Sequence, residues 1–243
     1  MLTLTVLGCN GLYPSNGINT SGYLLQTKDS SLLLDVGSGV FSALKNIIAP
    51  EKIDAIFISH LHHDHISDLG VYNYYLESLA KKGMLKNKIK LFVKNDESFV
   101  YRLIEGLSYF EICNFSTESN TKLNELDLSF YKMKHPVLTH GINVKAGDKS
   151  VSYTADSNVC EALENAIKNS NLAVCHAPFT IENSGENKPH ASANAVCKIA
   201  KKYDKKVLIS HFIPDADKSV LYEECHVAGA NFEFVSQGKI YTV

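Results

Sequence analysis

The apolar run Ile53 to Ser59 ends in His60-Leu61-His62-His63-Asp64-His65, which places four metal-binding side chains on one short turn. Imidazoles and a carboxylate packed this closely repel or desolvate one another unless a divalent cation accepts their lone pairs. A fold that carries this turn must hold it at the end of a strand and bring further donors to it. His60 and His62, two positions apart, can point into one site, and Asp64 and His65, further round the bend, can reach a second beside it. The spacing therefore points to two ions. A solvated histidine-rich loop is the alternative reading, and residues far along the chain weigh against it.

The 243 residues, 45% of them hydrophobic, suffice for a substantial core, and α/β chains of this length commonly form one domain. One domain over 1–243, its two halves meeting near position 125, is the expected organisation. Basic residues number 24 against 26 acidic ones, and Arg102 is the only arginine. A guanidinium cluster for gripping a nucleic-acid backbone is thus missing, and the charge balance favours a small substrate. Cys9, Cys113, Cys160, Cys175, Cys197 and Cys225 show no paired spacing, which fits reduced thiols and a cytoplasmic location. The stretch Met1 to Gly8 lacks a basic leader and alternates like a strand, and no apolar stretch is long enough to cross a bilayer, so a soluble protein without membrane partners is expected.

Strand-like runs cover Leu2 to Leu7, Ser21 to Gln26 and Ser31 to Asp35, followed by a helix around Val40 to Ile48 that Pro50 ends. After the histidine turn, Ser67 or Asp68 can cap a helix through Tyr72, Tyr75, Leu76 and Leu79, with Gly83 placed to stop it. Further strands are expected near Lys90 to Val93, Leu128 to Met133, Val151 to Tyr153, Leu172 to Cys175 and Val207 to Ser210, and helices near Asp96 to Leu107, Glu161 to Asn169 and Ala193 to Tyr203.

His135, Asp156, His176 and His211 each follow one of these strands. Loops beyond the carboxyl ends of strands in an α/β sheet converge on a crevice, so these scattered residues are placed to meet the histidine turn. Any one of them alone would read as an ordinary hydrogen-bonded residue, but jointly they mark a site.

On these motifs the chain resembles the metallo-β-lactamase superfamily. His60 to His65 matches its histidine signature, Leu7 to Leu25 its opening strands, Leu32 to Gly39 (LLLDVGSG) its first acidic motif, Lys134 to Gly141 (KHPVLTHG) its third motif, Tyr153 to Ser157 (YTADS) its fourth, and Ser210 to Phe212 completes the set. The resemblance covers nearly the whole chain and implies an α+β fold, a four-layer αβ/βα sandwich. It implies that His60, His62 and His135 bind one metal, that Asp64, His65 and His211 bind another, and that Asp156 bridges them, with Asp35 orienting the ligand turn. Nitrogen and carboxylate donors without thiolate suit Zn²⁺, and Mn²⁺ or Fe²⁺ accept similar sets. Such a pair of ions arms a hydroxide for hydrolysis and leaves phosphodiester, lactam, lactone and thioester substrates open.

The choice among them turns on Lys188 to Phe212, where His190 and Ser192 resemble the histidine-x-Ser/Thr segment of ribonuclease Z and related phosphodiesterases. Ser192 can cap the helix from Ala193, whose dipole favours a nearby phosphate, and His190 can protonate the leaving alkoxide. Asp64 and His190 are thus the expected catalytic residues, and Ser192 and His176 the expected substrate contacts. Two departures from ribonuclease Z stand out. That enzyme carries a Glu where Cys175 to Phe179 offers His176, to which three roles are open: proton shuttle, phosphate contact or packing. It also carries a long Gly/Pro-rich arm for tRNA, and nothing between His65 and His135 corresponds. The lysines Lys81, Lys82, Lys86, Lys88 and Lys90 lie among acids and read as a solvated helix end. His63 and His226 read as surface residues and His140 as a residue of the pocket mouth. The expectation is a dinuclear phosphodiesterase for small or cyclic phosphodiesters, homodimeric by resemblance. A lactone, lactam or thioester hydrolase and a tRNA 3′-end nuclease are the alternatives.

Overall fold

The computed structural model describes residues 1–243. The first part of the chain forms β1 (Thr3–Gly8), β2 (Gly22–Gln26), β3 (Ser31–Leu34), α1 (Val40–Lys45), β4 (Ala55–Phe57), α2 (His63–Ile66), α3 (Leu69–Lys81), β5 (Ile89–Phe92), α4 (Phe99–Glu105) and β6 (Phe110–Cys113). The second forms β7 (Thr121–Leu123), β8 (Leu126–Lys132), β9 (His140–Ala146), β10 (Lys149–Asp156), α5 (Glu161–Lys168), β11 (Leu172–His176), α6 (Ala193–Lys202), β12 (Lys206–Ser210), α7 (Ser219–Ala228), β13 (Asn231–Phe234) and β14 (Ile240–Thr242).

Two seven-stranded sheets result, ordered β14-β1-β2-β3-β4-β5-β6 and β13-β12-β11-β10-β9-β8-β7. Each is antiparallel in one half and parallel in the other, with β3 to β6 parallel in the first sheet and β10 to β13 parallel in the second. The crossover between sheets falls between Cys113 and Thr121, a little before position 125, and β14 returns to pair with β1.

Period-two alternation decides which residues face which layer. In β3 and β4, Leu32, Leu34, Ala55 and Phe57 point between the sheets, whereas Leu33, Ile56 and Ile58 point outward, onto Val40, Tyr72, Leu76, Tyr101 and Ile104 of α1, α3 and α4. Both faces of these strands are buried, which explains the unbroken apolar runs SLLL and AIF. Helices α5, α6 and α7 cover the second sheet through Leu163, Ile167, Val196, Leu221 and Cys225. The order of layers is therefore helix, sheet, sheet, helix, as expected.

Boundaries differ from the sequence reading where side chains compete with the helix. Asp96 accepts from the Ser98 amide and Ser98 Oγ caps the Tyr101 amide, so α4 starts at Phe99 and not at Asp96. Neither Ser67 nor Asp68 caps α3 through its side chain: Ser67 Oγ donates to the His63 carbonyl, and an Asp68 oxygen accepts from the Phe41 amide, tying α1 to α3. The strands β6, β7, β9, β13 and β14 and the helix α7 were not expected.

Phe57 sits fully buried between the sheets, its ring 5.9 Å from that of Phe115 and 5.7 Å from that of Phe130. Phe57→Ala leaves a cavity there and is expected to cost about 3–5 kcal/mol, read as a lower urea midpoint with an unchanged denaturant slope.

Candidate metal centre

All the ligand-bearing loops leave the same edge of the sandwich. The Ser59 to His62 turn follows β4, His135 lies between β8 and β9, Asp156 and His176 end β10 and β11, and His211 follows β12. Residues at the ends of ligand-bearing strands adopt left-handed backbone, among them Asp35 (φ 56°), Ala155 (φ 52°) and His211 (φ 67°). Non-glycine residues held there carry strain that the surrounding structure must over-determine. Here it turns the chain sharply off the strand, so that the side chain lands over the sheet edge.

Two sets of donors meet around Asp156, which is 2% exposed. In the first, His60 Nε2 lies 3.0 Å from His62 Nδ1 and 3.4 Å from Asp156 Oδ2. His135 Nε2 lies 3.4 Å from His62 Nδ1 and 3.8 Å from the same Asp156 oxygen. In the second, Asp156 Oδ1 lies 3.6 Å from His65 Nε2 and 3.5 Å from His211 Nε2. Asp64 Oδ2 lies 3.7 and 3.6 Å from those two nitrogens. Four donors about 2.0–2.1 Å from one tetrahedral ion stand about 3.3–3.4 Å apart, so both sets have the spacing of a coordination shell.

The outward nitrogens explain why the inward ones carry lone pairs. His65 Nδ1 donates to Asp35 Oδ2 at 2.6 Å and His135 Nδ1 to the Pro189 carbonyl at 3.0 Å. His60 Nδ1 bonds Ser59 Oγ at 3.0 Å and His211 Nδ1 bonds Ser21 Oγ at 3.1 Å. The acceptors Asp35 and the Pro189 carbonyl, and Ser59 Oγ, whose own hydrogen goes to Asp35, fix the tautomer of their rings, and all four bonds leave Nε2 facing inward. His65 Nε2 is buried with no hydrogen-bond partner, an arrangement that calls for an explanation and that a cation supplies. The donors present thus fit divalent metal.

Asp35 is fully buried and knits the turn together, accepting from the Ser59 amide at 2.8 Å, Ser59 Oγ at 2.7 Å and the Tyr153 hydroxyl. Burial alone would raise the pKa of Asp156, but the charges of His211 and His65 and hydrogen bonds from His176 and His60 hold it well below the usual carboxylate range. Burial likewise works against the charged form of His65, and Asp156 and Asp35 outweigh it, lifting its pKa well above the usual value.

His176 does not take the substrate-contacting position expected of it. It is fully buried, its Nδ1 donates to Asp156 Oδ1 at 2.8 Å, its Nε2 faces the Tyr23 hydroxyl at 3.0 Å, and its ring stacks on His211 at 4.4 Å. With both nitrogens engaged it lacks a free lone pair for a metal and a free edge for a substrate, so although the donor atoms of His65, Asp156, His176 and His211 all lie within 4.8 Å of one another, Asp64, 3.7 and 3.6 Å from His65 and His211 Nε2, fits the fourth place of the second set better. Ser192 Oγ accepts from the Ala195 amide and caps α6, which leaves its hydrogen and one lone pair for a further contact. His190 is placed at the site: its Nε2 lies 3.9 Å from Asp156 Oδ2 and its ring 5.1 Å from His211 and 5.4 Å from His135. The carbonyl beside it, that of Pro189, serves His135 instead, and His190 Nδ1 is unpartnered. His63 and His226 are exposed, while His140 is buried away from both donor sets, against Phe115.

Sequence reading passed over Ser21, Tyr23, Ser59, Tyr153 and Gly11. The first four lie inside or beside quoted motifs but carry no spacing signal of their own, because their partners are remote in the chain. Gly11 lies where a Cβ would stand 2.7 Å from the His211 ring, and at Gly37 one would stand 2.1 Å from the Asp64 carbonyl. The Leu12 amide, one residue on, donates to Asp64 Oδ2 at 2.9 Å.

A family model described as "Anti-Pycsar protein Apyc1" matches residues 2–241. The chain belongs to this family. It is 27% identical over 213 residues to "Probable metallo-hydrolase YhfI" of Bacillus subtilis, covering 88% of this chain and 87% of that one. The crystal structure of YhfI, a metallo-β-lactamase fold protein, superposes with a TM-score of 0.91 at 26% identity over 99% of this chain and 98% of the other. A ribonuclease Z of Chlamydia trachomatis is 26% identical over 263 residues, covering 86% of each chain. A diphosphatase of the PhnP family shares the fold at a TM-score of 0.76 and 18% identity, over 100% of this chain and 98% of its own. The member described here has the metallo-β-lactamase fold and is a metal-dependent hydrolase.

Gly11→Ala is expected to push the His211 ring off the second donor set and weaken metal binding there at least tenfold, with the fold retained. Competition titration against a chromogenic chelator, alongside the circular dichroism spectrum, checks this.

Proposed function

We propose that this family member hydrolyses small phosphodiesters, cyclic ones among them, with two divalent cations, Zn²⁺ first among the candidates. His60, His62, His135 and Asp156 would hold one ion, and Asp64, His65, His211 and Asp156 the other. When bound, the ions lower the pKa of water and offset charge on the phosphoryl oxygens.

The observation that carries the phosphodiester reading is His190. Its ring faces both donor sets, and neither a backbone carbonyl nor a carboxylate claims its Nδ1. Burial, reinforced by repulsion from His211 and His135, pushes its pKa down to about 3, so the free ring is neutral. An incoming phosphodiester brings negative charge beside it and favours the imidazolium, which can then hand a proton to the departing alkoxide. Asp64 stays ionised, because His65 and His211 outweigh its burial, and the Leu12 amide keeps its carboxylate turned inward. His176 positions Asp156 through the Nδ1 contact and does not itself touch substrate. The names of two relatives, a ribonuclease Z and a diphosphatase, point to the same phosphorus chemistry.

A small substrate is supported by the span between His65 and His135, which is occupied by α3, β5, α4, β6, β7 and β8. It contains no extended arm for holding tRNA. Of the lysines expected to be a solvated helix end, Lys81 ends α3 and pairs with Glu77, whereas Lys86 and Lys88 lie beyond that helix and Lys90 is on β5, and these three line a cavity of about 840 Å³ together with Glu51, Asp54 and Glu111. That cavity opens at the opposite edge of the sheet from the histidine turn. A homodimer belongs to the same reading.

Turnover of bis-p-nitrophenyl phosphate against thioester and lactone panels tests the substrate class, and much faster turnover of the carbonyl esters overturns it. Chelation should abolish activity, with recovery on adding back about two equivalents of Zn²⁺ per chain. Asp156→Ala should lose at least one ion and most activity. His190→Ala should keep both ions and lose about 10²–10⁴ in kcat with poor leaving groups but far less with p-nitrophenolate, and equal losses with both would remove the acid role.

A further inference from the structure

Beside the histidine turn, at the same edge of the sandwich, lies a cavity of about 370 Å³ lined by Lys94, Lys132, His140, Phe115, Ser116 and Thr117, with Leu138 at its side. Lys94 follows β5, the neighbour of β4 in its sheet, and Lys132 ends β8, three residues before His135. His140 begins β9, and its amide donates to the Ser59 carbonyl at 2.9 Å, one residue from His60. The cavity is therefore joined by backbone to the metal centre without sharing a side chain with it.

Its chemistry is that of a cationic pocket. Neither lysine forms an ion pair, although Lys81, Lys122, Lys202, Lys206 and Lys239 all do, and no carboxylate lines the walls. Lys94 Nζ sits 4.8 Å over the Phe115 ring, which positions the ammonium. The His140 ring is 4% exposed and its Nδ1 has no partner; burial, then the charges of Lys94 and Lys132, push its pKa down to about 4. Two unpaired ammoniums, a neutral imidazole and two hydroxyl side chains repel a cation and leave donors unused. A tetrahedral anion with several acceptor oxygens answers both conditions.

We propose that this cavity is a second anion subsite that takes a phosphoryl group, carried either by the far end of the substrate held at the metal centre or by a separate small phosphate compound. The existence of the subsite stands independently of the reaction; its service to a substrate rests on the phosphodiester reading above. In the first case the enzyme prefers phosphodiesters that carry a further phosphate. In the second, occupancy at the cavity is reported to the histidine turn through the bond from His140 to Ser59.

The test is titration of the metal-loaded protein with inorganic phosphate at constant ionic strength, followed by calorimetry and by the His140 ring resonances. The wild type should bind two phosphates per chain, one of which shifts His140. Lys94→Ala/Lys132→Ala should lose that one, by roughly tenfold or more in affinity, and keep the other. Lys86→Ala/Lys88→Ala removes the same charge at the opposite edge and should keep both, separating a built site from a general field effect. A wild type that leaves His140 unshifted, or a control variant that weakens binding equally, overturns the proposal. A substrate arm compares thymidine 5′-(p-nitrophenyl phosphate) with its 3′-phosphorylated form. A KM that rises about tenfold only for the 3′-phosphorylated ester in Lys94→Ala/Lys132→Ala assigns the subsite to substrate, and lost phosphate binding with unchanged KM values assigns it to a separate compound. Absence of all phosphodiester turnover would sink the reaction assigned above and leave the phosphate titration to decide the subsite by itself.

Discussion

One carboxylate holds the molecule's chemistry together. Asp156 gives one oxygen to the set around His60, His62 and His135 and the other to the set around His65 and His211, while His176 steadies it from behind. An ionised carboxylate at 2% exposure is a severe desolvation burden. It is tolerable because imidazoles surround it on every side. The same burden explains the outer bonds: Asp35, Tyr23, Tyr153, Ser21 and Ser59 exist around the centre to keep each imidazole in one tautomer and one orientation.

These supports come from both sheets. Tyr23, on β2, reaches His176 and Ser210, on β11 and β12, and Tyr153, on β10, reaches Asp35, just beyond β3. The centre is therefore also a polar seam between the two layers, continuous with the apolar packing of Phe57, Phe115 and Phe130 below it. Fold and site are built from one set of strand ends, and the orientation of each ligand depends on how the sheets face one another.

Much of this was legible because the strands carrying ligands are also the most buried ones. Runs such as LLLD, AIFISH, SYTAD and VLISH announce a strand, its apolar faces and the polar residue at its end in one stretch. The unread elements lack that union. In β9 the residues Gly141 and Asn143 weaken the strand pattern, yet Gly141 is needed because a Cβ would stand 2.8 Å from the Tyr153 carbonyl. The helix α7 buries only Leu221 and Cys225, too sparse a stripe to show in the sequence. The role of His176 stayed open between proton shuttle, phosphate contact and packing for a similar reason: a histidine at a strand end looks the same whether it faces the crevice or a tyrosine from the opposite sheet, and only the sheet-to-sheet contact separates the two.

The left-handed residues Asp35, Ala155 and His211 mark where three strands stop. Because side chains alternate in direction along a strand, dropping or adding one residue before any of these stops would turn its donor to the far side. The opposite rim, where the turns around Asp29, Asn124 and Gly147 lie, holds no such donors. Segment lengths are thus frozen along one rim and free along the other, so diversification of such a scaffold can lengthen or shorten loops at the base, while at the catalytic rim it is confined to exchanging one side chain for another.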